Sequence, residues 1–181
     1  AEAARVAAGL VLTGLGDERP LTYKRSRAGD RLVDRAAAAV LAHHDGRLVD
    51  FSPYGYDERQ FCSPGFDLGV GRLTRGTHGD YPEYHSSDDD LSFVSAARVA
   101  DAVLVVLELL DAMEHNGRHC NLSPHGEPQL GRRGLYSQTG GAIDGRSVEM
   151  AYLWVLNQSD GHHDLVDIAL RSGLRPDAVV E

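Results

Sequence analysis

The sequence has few cysteines, one tryptophan and no long apolar run. Its two thiols, Cys62 and Cys120, match no paired zinc-binding motif. Isolated thiols indicate a reducing compartment and hence a cytoplasmic protein, with one long-range disulfide left open as the alternative. The longest apolar run, residues 103–110, contains Glu108 and is far too short to cross a bilayer. We therefore expect no membrane partner, and the first residues lack the pattern of a signal peptide.

Basic residues are also scarce. Lysine and arginine number 18 against 27 aspartates and glutamates, so the formal net charge is −9. An acidic chain disfavours nucleic acid as the main partner, although a local basic patch remains compatible with it. Histidine, with nine residues, is abundant and invites a search for metal ligands. The 181 residues and the 42% hydrophobic content are typical of one globular domain with a small appendage.

Short apolar runs alternate with helical patterns in the first part of the chain. Residues 10–13 and 48–51 have the pattern of strands, and the polar, β-prone residues 21–26 predict an edge strand. A helix from residue 31 to about residue 43 is expected between them, capped by Asp30. This alternation predicts an α/β fold with a mostly parallel sheet and flanking helices.

The longest helix is predicted over residues 96–115, after the capping residue Ser95. Five apolar residues recur in it at helical spacing: Val99, Val103, Val106, Leu107 and Leu110. Because an apolar stripe of this kind normally faces the core, we expect these side chains to cover one face of the sheet.

The last part of the chain has the spacing of a helix-turn-helix. Asp164 can cap a helix, Gly173 can form the turn after it, and Pro176 favours the start of the next helix. Modules with this spacing bind DNA in some proteins and protein in others. Binding DNA needs basic residues near the second helix, and here Arg171 and Arg175 lie among several aspartates.

The composition predicts three segments along the chain. Residues 1–122 should form the α/β part, the turn-rich residues 123–142 a linker, and residues 143–181 a small helical domain.

One loop-rich stretch concentrates reactive side chains. Residues 54–65 and 81–90 interleave aromatic, acidic and basic groups with glycine and proline, which break helices and strands. Binding and catalytic residues concentrate on loops of this kind. Asp57, Glu58 and Arg59 are suited to recognise an amine or a carboxylate, and the alternative is that they are three solvated charges.

Two residues are candidate metal ligands. His85 lies between Tyr84 and a Ser-Ser-Asp-Asp-Asp run, and neutral imidazole is a common zinc ligand whose tautomer a carboxylate can fix. Asp17 follows the first strand, at the carboxyl end where ligands bind in open α/β sheets. A simple turn aspartate is the alternative interpretation of Asp17.

Four runs of the sequence resemble a bacterial aminopeptidase-like family whose members are often named polysaccharide biosynthesis proteins: residues 9–13, 22–27, 54–66 and 81–90. That family is similar in fold to the co-catalytic zinc exopeptidases and carries a C-terminal winged helix-turn-helix. The resemblance covers nearly the whole chain. Its most specific pieces are Asp-Glu-Arg-Gln at 57–60 and Glu-Tyr-His at 83–85.

The resemblance implies a zinc-dependent hydrolase that removes the N-terminal residue of a peptide or a related amide. It assigns His85 and Asp17 to the metal, and Asp57, Glu58, Arg59 and Tyr84 to the substrate. The family's early histidine, bridging aspartate and glutamate pair have no counterpart, so no catalytic residue is assigned here. We therefore expect the carboxyl-terminal portion of such a hydrolase, inactive by itself and with apolar sheet edges exposed.

Two other functions stay open. A non-catalytic module would keep the fold and bind a peptide or a biosynthetic intermediate, and a DNA-binding regulator would use the residues from Pro176 onward. Substituting His85 in the complete protein distinguishes hydrolase from binding module, because hydrolysis is lost only if His85 serves the metal. The expected partner is a peptide or amide substrate, and a homo-oligomer is compatible with the sequence.

Overall fold

The computed structural model describes residues 5–77, 79–135 and 143–180. In the helix that begins at residue 143, side chains are described from residue 148 onward. The chain divides into two compact units, unit 1 (Ala1–Leu110) and unit 2 (Asp111–Glu181). Residues 136–142 of the predicted linker lie outside the described residues, and the predicted domain limits stay a prediction.

Unit 1 is built on a four-stranded sheet. Its described elements, in chain order, are β1 (Gly9–Leu12), β2 (Leu21–Lys24), α1 (Leu32–Leu41), β3 (Gly46–Val49), α2 (Glu58–Phe61), β4 (Val70–Thr74) and α3 (Ala96–Glu114), whose last residues belong to unit 2. The strand order is β1-β4-β2-β3, with β1–β4 and β2–β3 parallel and β2–β4 antiparallel. The prediction of an α/β fold with a mostly parallel sheet is confirmed.

β2 is an interior strand, so its prediction as an edge strand is wrong. It pairs with β3 on one side and with β4 on the other. Lys24, whose charge suggested an edge, is buried because Glu58 of α2 pairs with it at 2.9 Å. A polar strand therefore lies inside the sheet where another element supplies the opposite charge.

The two faces of the sheet differ in chemistry. Tyr23 and Leu73 lie opposite each other on β2 and β4, are fully buried, and face α1. The Tyr23 hydroxyl donates a hydrogen bond of 2.9 Å to Asp34 of α1. Gly71 is required beside this ring, since a Cβ atom built there would lie 1.9 Å from the Tyr23 oxygen. Because side chains alternate along a strand, the neighbours of these residues point to the opposite face.

α1 begins one residue later than the sequence suggests. Arg31, and not Asp30, is its N-cap, and the carboxylate of Asp34 accepts the Arg31 backbone N–H at 3.0 Å. The same carboxylate accepts the backbone N–H of Ser26 at 2.7 Å and its hydroxyl at 2.5 Å. Asp34 therefore ties the start of α1 to the loop after β2. Burial, and after it the Asp34 carboxylate, raise the pKa of Tyr23.

α3 presents a different face to unit 1 from the predicted one. Its fully buried residues are Ala102, Val105 and Leu109. The predicted core residues Val99, Val103, Leu107 and Leu110 are exposed by 41–56%, so the prediction that they cover the sheet is wrong. The physical reason is that α3 is apolar on two sides, and periodicity does not tell which side the sheet takes. Within the described residues, no helix combines the length and apolar character needed to cross a membrane.

Both edges of the sheet carry exposed apolar side chains. Leu12 on β1 is 47% exposed, and Leu48 and Val49 on β3 are each 39% exposed. The expectation of apolar residues exposed at the sheet edges is confirmed.

Unit 2 contains a small antiparallel sheet and three helices among its described residues. The elements are β5 (Arg118–Cys120), a 3₁₀ turn (Leu130–Arg133), α4 (Ile143–Gln158), β6 (Asp160–Asp164), α5 (Leu165–Ser172) and α6 (Pro176–Val180), with β5 paired to β6. Asp164 caps α5 by accepting the Asp167 N–H at 2.9 Å, and Gly173 ends it with a φ of 69°. The predicted helix-turn-helix is confirmed.

Candidate active site

Asp17 lies where β1 and β4 end side by side. Its side chain is 3% exposed. Oδ1 accepts the Arg19 backbone N–H at 2.7 Å, and Oδ2 accepts the Gly76 backbone N–H at 3.1 Å. Because β1 and β4 are parallel, these loops meet at the carboxyl ends of the strands, the edge at which open α/β sheets bind ligands. Asp17 therefore lies at the strand end where the sequence predicts it, and there its carboxylate joins two loops.

Arg75 fixes the loop that carries Asp17. Its guanidinium donates to the carbonyl oxygens of Leu15 at 3.0 Å and Arg19 at 2.7 Å. On the other side it pairs with Asp101 of α3 at 2.5 Å. The side chain is buried. The position of Asp17 is therefore set by a buried cation that bridges the loop and α3, and not by the turn alone.

A row of aromatic rings begins beside Asp17. The Arg19 guanidinium lies 4.6 Å from the centre of the Tyr81 ring and 5.7 Å from that of Phe93. Tyr81 and Phe93 are themselves stacked, with centroids 5.5 Å apart. Burial, followed by the charges of Asp89 and Asp17, raises the pKa of Tyr81. The rings form an apolar surface covered by a cation, an arrangement worth about 0.5–2 kcal/mol per contact.

The row continues to His85. Tyr84 meets Tyr81 edge to face at 5.6 Å and stacks on the His85 ring at 4.0 Å. His85 is exposed and has a φ of 57°, in the left-handed region that non-glycine residues adopt infrequently. Its backbone conformation directs the ring onto Tyr84. The two predicted metal ligands, Asp17 and His85, thus lie at the two ends of a row formed by Tyr81 and Tyr84.

The predicted substrate residues 57–59 separate into one buried and two exposed side chains. Asp57 and Arg59 are exposed at the start of α2. Glu58 is fully buried and accepts hydrogen bonds from Lys24 Nζ at 2.9 Å, Arg72 Nη1 at 3.4 Å and the Tyr56 N–H at 3.0 Å. In this structure, therefore, Glu58 contacts two cations of the sheet rather than the surface.

Lys24, Glu58 and Arg72 form a buried ionic triad on the sheet face opposite α1. Lys24 also donates to the Tyr54 carbonyl oxygen at 2.7 Å. The Arg72 guanidinium lies 5.1 Å from the Tyr56 ring centre, and among the described residues its Nε has no hydrogen-bond partner. Two cations and one anion leave a net positive charge in a buried position, which is costly unless it is compensated.

Tyr56 connects the triad to the aromatic row. Its ring lies against Arg72, and its hydroxyl is hydrogen-bonded with Tyr84. Burial and this hydrogen bond raise the pKa of Tyr56. One continuous set of contacts therefore runs from the triad through Tyr56 to the row that joins Asp17 and His85.

Sequence reasoning missed the basic members of this site: Arg19, Lys24, Arg72 and Arg75. One signal was available for Arg72, which stands between Gly71 and Leu73 within a strand pattern. A charge in that setting is rarely buried without a partner. The partner, Glu58, is 34 residues from Lys24, and spacing alone does not identify it.

The described residues do not make up a metal site by themselves. Among them, no three histidine, cysteine, aspartate or glutamate side chains come together in a way that could hold a metal ion. Zinc sites take three or four protein ligands. The sequence offers two, Asp17 and His85, and the Asp17 oxygens already accept two backbone N–H groups. The residues present therefore do not fit a complete zinc centre.

Comparison with known proteins gives two family matches. Residues 1–116 match a family described as a domain of unknown function, DUF4910. Residues 118–181 match a winged helix-turn-helix family. The second match agrees with the confirmed helix-turn-helix of unit 2.

One curated protein and one solved structure that resemble this chain both come from Clostridium acetobutylicum. A protein named "putative polysaccharide biosynthesis protein with aminopeptidase-like domain" is 44% identical over 168 residues, which are 92% of this chain and 38% of that protein. A crystal structure titled as a "putative peptidase" matches with a TM-score of 0.85 and 38% identity, over 99% of this chain and 40% of that one. The chain thus spans about two fifths of the length of these relatives. It belongs to the DUF4910 family of proteins with an aminopeptidase-like domain, followed by a winged helix-turn-helix.

Proposed function

We propose that unit 1 is part of an aminopeptidase-like hydrolase that acts on a peptide or a related amide in the complete protein. The observation that carries the proposal is the match, in both sequence and fold, to a relative named for an aminopeptidase-like domain and a structure titled as a peptidase. The position of Asp17 at the carboxyl ends of β1 and β4 supports it, because this edge is where such sheets bind their ligands.

Zinc is the metal that the proposal expects in the complete protein. Asp17 and His85 are the ligands that this chain would contribute, and the remaining ligands would come from residues outside those described. In the complete protein, a zinc ion would supply an activated water and would polarise the scissile carbonyl group. The other residues of this chain position the two ligands. The N–H groups of Arg19 and Gly76 hold the Asp17 carboxylate, and the Tyr84 ring stacks on the His85 ring.

The substrate side of the proposal assigns the exposed end of α2 to recognition. Asp57 would attract the amino group of a peptide, and Arg59 a carboxylate of the substrate or of its product. Tyr84 offers a ring face for an apolar side chain. Glu58 is the exception within the predicted set, because its carboxylate is already bonded to Lys24 and Arg72.

The test is the zinc content of the purified complete protein and of two variants of it, His85→Ala and Asp17→Asn, measured by mass spectrometry. His115→Ala is the matched control, since His115 is an exposed histidine beside Asp111 on α3. Zinc that is lost in both site variants and kept in the control supports the proposed ligands. Zinc that is equal in all four proteins contradicts them.

Activity requires the complete protein. We expect His85→Ala there to abolish release of the N-terminal residue from an aminoacyl amide while thermal stability stays within a few degrees of wild type. Unchanged turnover in that variant would refute the hydrolase assignment of this site.

A second candidate, a non-catalytic module that binds a peptide, is favoured by the aromatic row itself. Rings capped by a guanidinium are suited to binding, and Arg19 with Tyr81 and Phe93 provides such a surface without any metal. Peptide binding that persists in His85→Ala, without turnover in the wild-type complete protein, would select this function.

A further inference from the structure

Arg72 carries a buried charge that the described side chains of the candidate site do not balance. Its side chain is 4% exposed, and on the sheet it lies opposite Lys24 of the neighbouring strand β2. Like charges in opposite positions on adjacent strands repel each other. One carboxylate serves both cations, since Glu58 Oε1 lies 2.9 Å from Lys24 Nζ and 3.4 Å from Arg72 Nη1. Two cations therefore share one anion, and the longer contact is the one to Arg72.

The Arg72 guanidinium also has a donor without an acceptor. Among the residues that the structure describes, Nη1 donates to Glu58, whereas the buried Nε has no hydrogen-bond partner. A buried donor left unpaired is costly, and more so when it belongs to a charged group. The N–H groups of a guanidinium form a planar fork that matches a carboxylate, which accepts two parallel hydrogen bonds. A carboxylate on the Nε side would thus supply both the absent acceptor and the absent negative charge.

The loop between β3 and α2 covers these cations. The centre of the Tyr56 ring lies 5.1 Å from the Arg72 guanidinium. Gly55 passes so close to the triad that a Cβ atom built there would lie 2.0 Å from Glu58 Oε1. This cover is a loop rather than a helix or strand, and loops yield to ligands more readily than packed elements do. A carboxylate can therefore reach the Arg72 Nε once the Tyr56 ring moves aside.

Direct contacts link this cation to the residues proposed to bind the substrate. The Tyr56 hydroxyl is hydrogen-bonded with Tyr84, and the Tyr84 ring stacks on that of His85 at 4.0 Å. The rings of Tyr56 and Tyr84 therefore lie between Arg72 and the predicted metal ligand His85. A substrate that presents its scissile amide at His85 would direct a side chain along these rings towards Arg72.

We propose that Arg72 binds the side-chain carboxylate of an acidic N-terminal residue, so that the candidate site takes peptides or amides that begin with glutamate or aspartate. The proposal rests on the proposed hydrolase function and names its substrate class. The bound carboxylate accepts the Nε–H of Arg72 and balances the charge that Glu58 leaves over. A neutral side chain at this place does neither, and a cationic side chain adds a third positive charge.

A binding measurement tests the carboxylate site without hydrolysis. The complete protein is titrated by calorimetry with glutarate and with glutaramide, the neutral diamide of nearly the same size, at one ionic strength. We expect saturable binding of glutarate and an affinity at least about tenfold lower for glutaramide. Arg72→Gln should lose the difference between the two probes, whereas Arg47→Gln, at an exposed position of β3, should keep it. Glutarate held by a metal ion would still bind to Arg72→Gln, which separates the two sources of affinity.

The Arg72 variants are expected to fold. Arg72→Gln removes the cation in surplus and leaves Lys24 and Glu58 as a neutral pair at 2.9 Å. Far-UV circular dichroism verifies the fold of this variant. Arg72→Lys keeps the charge but not the planar fork, and it should bind glutarate with an affinity between those of the wild type and Arg72→Gln.

Turnover by the complete protein tests the substrate class. The matched substrates are glutamic acid α-amide and glutamine amide, which differ only in a side-chain carboxylate replaced by a carboxamide. We expect kcat/KM to be at least about tenfold higher for the acidic substrate, mainly through KM, and nearly equal for both substrates in Arg72→Gln.

The outcomes separate this proposal from the proposed hydrolase function. Equal affinity for glutarate and glutaramide, a preference for glutarate that persists in Arg72→Gln, or equal kcat/KM for the two amides would each overturn the proposal. A protein that binds glutarate through Arg72 but hydrolyses neither amide would contradict the hydrolase function and still support the carboxylate site.

Discussion

Replacing Glu58 by glutamine should destabilise unit 1 strongly. The substitution keeps the size of the side chain and removes the single anion of the buried triad, which leaves Lys24 and Arg72 as two buried cations. All three side chains are at most 4% exposed, so water screens the remaining charges poorly. Removing one partner of a buried ion pair costs about 3–5 kcal/mol. For a unit of this size the lower figure corresponds to a fall in Tm of about 12 °C.

The chain provides its own spectroscopic separation of the two units. Five of its seven tyrosines belong to unit 1, and its single tryptophan, Trp154, belongs to unit 2. Thermal unfolding followed by near-UV circular dichroism of tyrosine and by tryptophan emission in one sample therefore reports on both. Glu58→Gln should lower the tyrosine transition.

Two further variants make the reasoning refutable. Asp50→Asn removes an ion pair with Arg25 in which Asp50 is 98% exposed, and it should cost less than about 1 kcal/mol. The double variant Glu58→Gln with Lys24→Met also removes one of the two cations that the single variant leaves unpaired. It should therefore regain part of the stability lost in the single variant. If Glu58→Gln shifts Tm no more than Asp50→Asn does, the triad does not stabilise unit 1 as argued.

Three other perturbations test the fold. Gly71→Ala should reduce the free energy of unfolding of unit 1 by about 1–3 kcal/mol, because the added methyl group would collide with the buried Tyr23 ring. An unchanged Tm in the tyrosine transition would contradict this packing. On α3, Leu109→Ala should destabilise the fold by about 2–5 kcal/mol, while Leu107→Ala, at a position 56% exposed, should cost little stability. Equal losses in the two variants would mean that the buried face of α3 is assigned wrongly. Asp164→Ala should destabilise unit 2 by about 0.5–2 kcal/mol through loss of the α5 cap, measured by Trp emission in urea.

Elements with a local chemical signature could be predicted from the sequence. Asp164, Gly173 and Pro176 determine where α5 begins, where it ends and where α6 starts, and each acts on backbone groups within a few residues. Caps and turns of this kind need no knowledge of the rest of the fold. The helix-turn-helix was therefore predictable with nearly correct limits.

The sheet was predictable as a list of strands but not as an order of strands. β2 carries Thr22 and Lys24 among its four residues, which favours an edge by composition alone. Its interior position depends on Glu58, which reaches Lys24 from a short helix that the sequence did not predict. A buried charge and its partner are determined together by the tertiary structure, so neither can be placed before the other is known.

α3 shows why periodicity can be correct and the conclusion drawn from it wrong. Val99, Val103 and Leu107 do form an apolar stripe at helical spacing, but a second stripe through Val105 and Leu109 is the one that is buried. A helix with apolar residues on opposite sides is typical of a buried helix, which contacts neighbours on both. The pattern therefore indicates that α3 has two apolar faces, but the sequence does not show which of the two packs against the rest of unit 1.

The candidate site combines residues that have a local sequence signature with residues that are positioned by contacts distant in sequence. This combination determines how experiments on the site should be interpreted. The position of Asp17 at the end of β1 was predictable because it depends on the local sequence, whereas the metal role of Asp17 and His85 stays a prediction. The residues that hold them in place, above all Arg75 and Tyr56, act across long sequence distances and were not predictable. Because Tyr56 contacts both Arg72 and Tyr84, a loss of the triad should disturb the aromatic row as well. Reduced function in a Glu58 variant would therefore indicate a displaced row, and only a variant that keeps its Tm can assign a direct role to the residue changed.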